Sequence, residues 1–233
     1  MIAVLKKELK SYYNSTMGYI ITVVFLGLTS WLFFKTFFLY GEATMRPYFN
    51  MLPIIFMLFM PAITMRQWAE ERKLGTIEVL FTLPLKDTEI LLGKFFASFV
   101  FLVVMLLLTI TIPITIALIG SPDPGEIISG YLGALLLGGA YLAIGLFASS
   151  LTSSQIVAFI LGLIFSFILF IVGESFVTVT LPPSIAPLIR YFGLGYHFDS
   201  IARGVIDLRD VLYYLTVIVT FLYLTYIVIK ERR

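Results

Sequence analysis

The chain has 233 residues, of which 60% are hydrophobic and only 13% charged, with a mean hydropathy of +1.01 and a formal net charge of +2. A soluble domain averages roughly 25% charged residues, so this composition excludes a water-soluble globular enzyme. The absence of cysteine removes disulfides, thiolate metal sites and cysteine nucleophiles, and so small a net charge gives no footprint for nucleic acid.

Residues 1–15 place Ile2, Leu5, Leu9, Tyr12 and Tyr13 at helical spacing, with Lys6, Lys7 and Lys10 between them. The pattern predicts an amphipathic helix at a membrane surface or, more plainly, a positively charged anchor. Apolar runs long enough to span a bilayer follow at 17–39, 48–65, 95–119, 127–150, 156–173 and 211–229. A spanning helix needs roughly 20 mostly apolar residues, so six spans are expected in one transmembrane domain covering 1–233. Lys35 lies at the outer end of the first span, where its side chain can snorkel. Between Glu126 and Glu174 there is no charge, and 149–155 is the one polar string able to turn the chain.

Six spans put both termini on one side of the membrane. That side receives eleven positive charges: Lys6, Lys7, Lys10, Arg66, Arg72, Lys73, Lys86, Lys94, Lys230, Arg232 and Arg233. The other side receives Arg46, Arg190, Arg203 and Arg209. Positive charge marks the cytoplasmic face, so both termini are expected in the cytoplasm. The first apolar run is too long for a secretory signal.

The loop 66–94 reads as a charged helical hairpin. Arg66 and Glu70 are spaced to pair on one helix face, and Gly75 is placed to stop that helix. Residues 76–83 form a second short helix with Ile77, Val79, Leu80 and Leu83 on its apolar side, closed by Pro84. Asp87 or Thr88 is positioned to cap the helix that follows. Such an apolar face sits in lipid, docks a partner, or merely connects two spans. On the outer side, Pro182, Pro183 and Pro187 exclude a straight seventh span from the mostly apolar 174–210 segment. Re-entrant or interfacial helices are expected there. Its end carries His197, Asp199, Arg203, Asp207, Arg209 and Asp210, a charged rim just before the last span.

The fourth span pairs small residues four apart: Ala134 with Gly138, Gly139 with Ala143, Gly145 with Ser149. That spacing lets helix backbones approach closely in lipid. Prolines 53, 61 and 113 are expected to kink the second and third spans. Catalytic constellations are missing. The one histidine, His197 near Asp199, suits a structural role better than haem or zinc ligation. No phosphate loop exists: Gly93-Lys94 is followed by Phe95, and Thr88 stands where its first glycine belongs. The spans lack the buried ionisable groups of ion-coupled carriers and the rings of charge of channels.

The hairpin residues Glu70-Glu71-Arg72-Lys73-Leu74-Gly75-Thr76-Ile77-Glu78-Val79-Leu80, followed by Thr82-Leu83-Pro84, resemble those of the permease subunits of ABC-2 type transporters. Two further strings agree: Gly145 to Gln155 at the end of the fourth span, and His197 to Asp210 before the sixth. The last looks most like the branch holding the gliding-motility-associated permease and the permease of nitrous-oxide-reductase maturation. The resemblance implies a multi-pass plasma (inner) membrane exporter subunit, paired with a second copy or a related permease and bound to a cytoplasmic ABC ATPase dimer. ATP and magnesium would be held by that ATPase and no cofactor by this chain, which would be a transporter subunit and not an enzyme. It further implies that Glu70, Glu71, Arg72, Gly75, Thr76, Ile77, Glu78, Leu80 and Pro84 belong to the ATPase-coupling hairpin. Residues 1–15 would be the interfacial helix and 174–210 the outer re-entrant segment. The cargo expected is hydrophobic or amphipathic. Competing readings are a non-transporting membrane scaffold that uses the same hairpin, and a lipid-modifying enzyme built on His197, Asp199 and Arg203.

Overall fold

The computed structural model describes residues 1–231 except 83, 180, 181 and 183, and for Tyr40, Val79, Phe81 and Phe176 it describes the backbone alone. The expectations placed on Leu83, Pro183, Arg232, Arg233 and the Val79 side chain therefore lie outside the described residues. Among these residues there are thirteen α-helices and no strand. They are α1 (Ile2–Asn14), α2 (Thr16–Tyr40), α3 (Arg46–Thr64), α4 (Arg66–Lys73), α5 (Thr76–Thr82), α6 (Asp87–Leu108), α7 (Thr111–Ile119), α8 (Pro124–Leu151), α9 (Gln155–Ile171), α10 (Ser175–Thr178), α11 (Ala186–Tyr191), α12 (Leu194–Ala202) and α13 (Leu208–Glu231).

The chain is an all-α polytopic membrane protein. Five helical stretches are long and apolar enough to cross a membrane: Thr16–Leu39, Arg46–Lys73, Asp87–Ile119, Pro124–Leu151 and Leu208–Glu231. The remaining apolar helix, α9, has 17 residues, or about 26 Å at 1.5 Å per residue.

The helices run back and forth between two ends. One end gathers α1, the α4–α5 hairpin and the start of α6. Ser149, near the end of α8, bonds to α4 there, and Tyr226 of α13 shares a cleft with Leu85–Thr88. At the opposite end Thr44 donates to Glu126 at 2.9 Å, Ala43 lies against Gly120, and the short helices α10–α12 sit before α13. The segment 174–210 thus holds short helices and no straight seventh span among the described residues.

Helix α8 is the axis of the bundle. Of its apolar stretch 78% is buried, against 28% for that of α2 and 22% for that of α13. Its small residues explain this. A methyl at Gly138 would lie 2.5 Å from Leu102 Cδ2, and one at Gly145 would collide with Thr64 Oγ1. Helices α3 and α6 therefore approach α8 closely only because those side chains are absent.

Local signals set the boundaries. Ser15 Oγ accepts from Met17 N at 3.2 Å and starts α2, and Gly41 ends it at φ +67°. Asp123 accepts from Gly125 N at 2.8 Å ahead of Pro124 and starts α8. The third expected span is broken at Thr109–Ile110. Pro113 is the cause: it has no N–H, and its ring excludes the carbonyl four residues back. Thr109 Oγ1 donates to Leu106 O at 2.7 Å within the break. Helix α3 instead runs unbroken through Pro53 and Pro61. Helix α6 begins at Asp87 after Lys86, so neither Asp87 nor Thr88 occupies the cap position expected of it.

Candidate functional site

The hairpin expected at 66–94 is present as α4 and α5. Met65 gives α4 no side-chain cap. The cap comes from another helix instead: Ser149 Oγ accepts from Trp68 N and Ala69 N, both at 3.1 Å, and donates to Met65 O at 2.9 Å. One face of α4 is buried through Gln67, Trp68 and Ala69. Arg66 Nε donates to Glu70 Oε2 at 2.9 Å, as the spacing predicted, and Arg66 Nη1 donates to Ser15 Oγ at 3.0 Å.

Gly75 takes φ +67° and turns the chain into α5, a left-handed conformation that a Cβ disfavours. The tip is exposed: Leu74 (67%), Gly75, Thr76, Glu78 and Pro84 face outward. Glu70, Arg72 and Ile77 are half-buried. Two of the residues expected in the coupling hairpin turn inward. Leu80 is only 7% exposed and packs into the chain's own core, and Glu71 faces a buried charge cluster.

Lys94 is the centre of that cluster and is 1% exposed. Its Nζ lies 3.0 Å from Glu8 Oε1 of α1 and 2.9 Å from Glu71 Oε2 of α4, and donates to Gln67 O at 2.8 Å. The ammonium also lies 4.9 Å from the Trp68 ring centroid, within cation–π range. Lys7 Nζ reaches Glu71 Oε1 at 3.0 Å, so two cations face two carboxylates. Partial burial lowers the Lys7 pKa, but hydrogen bonding and charge from Glu71, with Glu8, outweigh it and hold the ammonium above its ordinary value. Beside the cluster Tyr12 Oη donates to Ile63 O at 3.0 Å and accepts from Gln67 Nε2 at 2.6 Å. Burial pushes the Tyr12 phenol up to about 12.

Helix α1 packs with part of the face its apolar spacing indicated, Leu5, Leu9 and Tyr12 being half-buried, but is rotated toward Val4 and Glu8. Val4 and Glu8 are buried and Ile2 is exposed. Gly93 makes the approach possible, since a methyl there would lie 2.9 Å from Val4 Cβ. The Gly93-Lys94 pair thus joins α1 to α6: the glycine admits the helix and the lysine ties it down.

The outer rim divides in two. His197 is 1% exposed, with Nδ1 2.6 Å from Asp210 Oδ1 and Nε2 2.8 Å from Tyr191 O. Its ring stacks on Tyr213 at 3.9 Å, and Ser200 Oγ holds the other Asp210 oxygen. A carbonyl only accepts, so Nε2 donates to Tyr191. The histidine's carboxylate partner is Asp210, not Asp199. Asp199 pairs with Arg203 at 3.2 Å on the exposed face of α12. Asp207 Oδ1 accepts from Arg209 N at 2.9 Å and fixes the start of α13, while Arg209 is exposed. This enclosure leaves His197 no face for a substrate.

The sequence did not single out Lys94, Glu8 and Ser149 as the residues that anchor α1 and the hairpin. Lys94 was one more cytoplasmic positive charge, although its setting among Leu91, Leu92, Phe95 and Phe96 is a signal of burial. Glu8, the one acid among the lysines of α1, was the matching signal.

No curated protein matches the chain. The family model described as ABC-2 family transporter protein matches residues 4–229, nearly the whole chain, so the chain belongs to that family, whose members form the membrane-embedded component of an ABC transporter and not its ATP-binding subunit.

Proposed function

We propose that this chain is the permease subunit of an ATP-driven exporter of the plasma (inner) membrane, pairing with a second copy or a related permease and powered by a cytoplasmic ABC ATPase dimer. In this reading the six helical passes are six spans, with α9 at the short end of the spanning range of roughly 17–25 residues. The hairpin end, which collects most of the Lys and Arg, faces the cytoplasm and holds both termini. ATP and magnesium stay on the ATPase. The cargo is hydrophobic or amphipathic and moves outward, and the branch is that of the gliding-motility and nitrous-oxide-reductase-maturation permeases.

The observation that supports this best is the construction of the hairpin. An exposed tip of Leu74, Gly75, Thr76 and Glu78 stands on a base of buried Trp68, Leu80 and the Lys94 cluster. A rigid base under an exposed mixed surface suits a lever pushed by a partner. Glu78 and Thr76 would contact the ATPase, flanked by Glu70, Arg72, Ile77 and Pro84. Glu71 and Leu80 would transmit the push by anchoring the lever to α1 and the core. ATP-driven closure of the ATPase dimer would then rock the bundle between inward- and outward-facing states.

The test is affinity purification in mild detergent with mass spectrometry and an ATPase assay. Recovery of an ABC ATPase at one copy per permease, with hydrolysis that responds to the permease, supports the exporter. Recovery of an ATPase whose hydrolysis ignores this subunit would favour the scaffold reading.

A further inference from the structure

We infer that the angle between α1 and the hairpin is a binding site for a phospholipid whose headgroup carries both a phosphate and a primary ammonium. A cavity of about 290 Å³ lies there, bounded by α1, the first turns of α2, and α3–α4. Ligand pockets begin at about 300 Å³, so the space suits a headgroup but not a whole lipid.

The lining is sorted by polarity. Met17, Ile21, Ala62 and Ile63 form an apolar wall where α2 and α3 meet the membrane core. Lys7, Arg66 and Glu70 line the hairpin side. This is the polarity of an amphiphile held at the cytoplasmic leaflet, with the headgroup toward the hairpin and the acyl chains along exposed Tyr19 and Ile20 of α2.

The charges select the headgroup. Arg66 uses Nε on Glu70 and Nη1 on Ser15 and keeps Nη2 for an anion. Lys7 has an ammonium side chain 62% exposed beside it. Glu70 spends Oε2 on Arg66 and keeps Oε1 for a donor. Gln67, 4% exposed, lines the same cavity, and its Oε1 accepts no hydrogen bond among the described residues. That oxygen is closed off from the open space, so Glu70 Oε1 is the acceptor that an ammonium reaches. Lys94 and Glu8, deeper in, already satisfy each other. The site thus offers cations to a phosphate and an acceptor to an ammonium. A trimethylated amine has no N–H to give, and a glycerol headgroup gives neutral O–H donors in place of an ammonium.

The inference is independent of the ATPase, and it is tested on the permease alone. The purified protein is reconstituted in nanodiscs with equal amounts of phosphatidylethanolamine, phosphatidylcholine and phosphatidylglycerol, and retained lipid is read by native mass spectrometry. One charge-assisted hydrogen bond corresponds to about tenfold in affinity, so phosphatidylethanolamine is expected to be retained about tenfold over phosphatidylcholine, and over phosphatidylglycerol. Glu70→Gln, on the half-exposed rim, keeps an acceptor oxygen but loses the charge, and should lower the preference over phosphatidylcholine. Ala62→Phe should fill the apolar wall and lower retention of every lipid. Equal retention of ethanolamine and choline lipids, preferred retention of phosphatidylglycerol, or a preference unchanged in Glu70→Gln would each overturn the inference. Because Glu70→Gln leaves the core untouched, a folding failure of Ala62→Phe still leaves the test decisive.

Discussion

A lysine ammonium at 1% exposure is tolerable only when its donors are matched, and Lys94 is held by Glu8, Glu71 and the Gln67 carbonyl. The partners come from α1 and α4, so one side chain of α6 joins three helices. Removing one member of a buried ion cluster strands the others, typically at about 3–5 kcal/mol. Lys94→Met should therefore lower the melting temperature in detergent sharply. Adding Glu8→Gln should recover part of that loss, because the stranded carboxylate is gone. A double variant as unstable as the sum of its singles would show that Lys94 and Glu8 act separately. The same corner has an alkaline limit. The Lys7 ammonium is held above its ordinary value and the Tyr12 phenol is pushed up to about 12. Both groups keep their protons in the folded chain at a pH where the unfolded chain loses them. Their stabilising contribution is thus complete below about pH 10 and lost above it. Melting temperature against pH should be flat from 7 to 9 and fall beyond 10, and Tyr12→Phe should reduce that fall.

At the scale of elements, the hairpin shows why some features were legible in the sequence and others were not. Gly75, the Arg66–Glu70 pair and the arrest at Pro113 act within a few residues of themselves, so local spacing exposed them. The apolar spans were equally plain, because bilayer length imposes a run that no other pattern imitates. Ser149 was invisible for the opposite reason: it caps a helix whose capped amides lie 80 and 81 residues away in the chain. The face of α1 was legible in Leu5, Leu9 and Tyr12 but not in Glu8, because periodicity counts only apolar side chains and this charged residue is buried beside Val4. The burial of His197 was hidden for the same reason as the Ser149 cap, because its carboxylate partner stands 13 residues along the chain and not two. Ser149 also supplies a prediction. A lost N-cap typically costs about 1 kcal/mol, so Ser149→Ala should cause a small stability loss but loosen the base of the hairpin. In the proposed transporter, permease-stimulated ATP hydrolysis should fall further than the melting temperature implies. Ser149→Thr should restore it.

Across the whole molecule the buried charges occupy the two ends of the bundle and the small residues its middle. Lys94 with Glu8 and Glu71 ties one end, His197 with Asp210 ties the other, and α8 packs closely between them. Such a bundle transmits displacement and does not absorb it, because close-packed interiors yield little. In the proposed transporter, a push on the hairpin would then move α1 and α6 together through Lys94. Two kinds of hairpin variant should therefore have different fates. Changes at the base damage the fold and the coupling together. Changes at the tip damage coupling alone, since exposed Glu78 has no role in the core. Glu78→Lys reverses the charge of the tip and should leave membrane insertion, yield and melting temperature within error of the parent chain. Transport and permease-stimulated ATP hydrolysis should drop together, and a compensating acidic substitution on the ATPase surface should restore both. Normal activity in Glu78→Lys would remove the tip from the coupling path and leave the base of the hairpin without a lever to support.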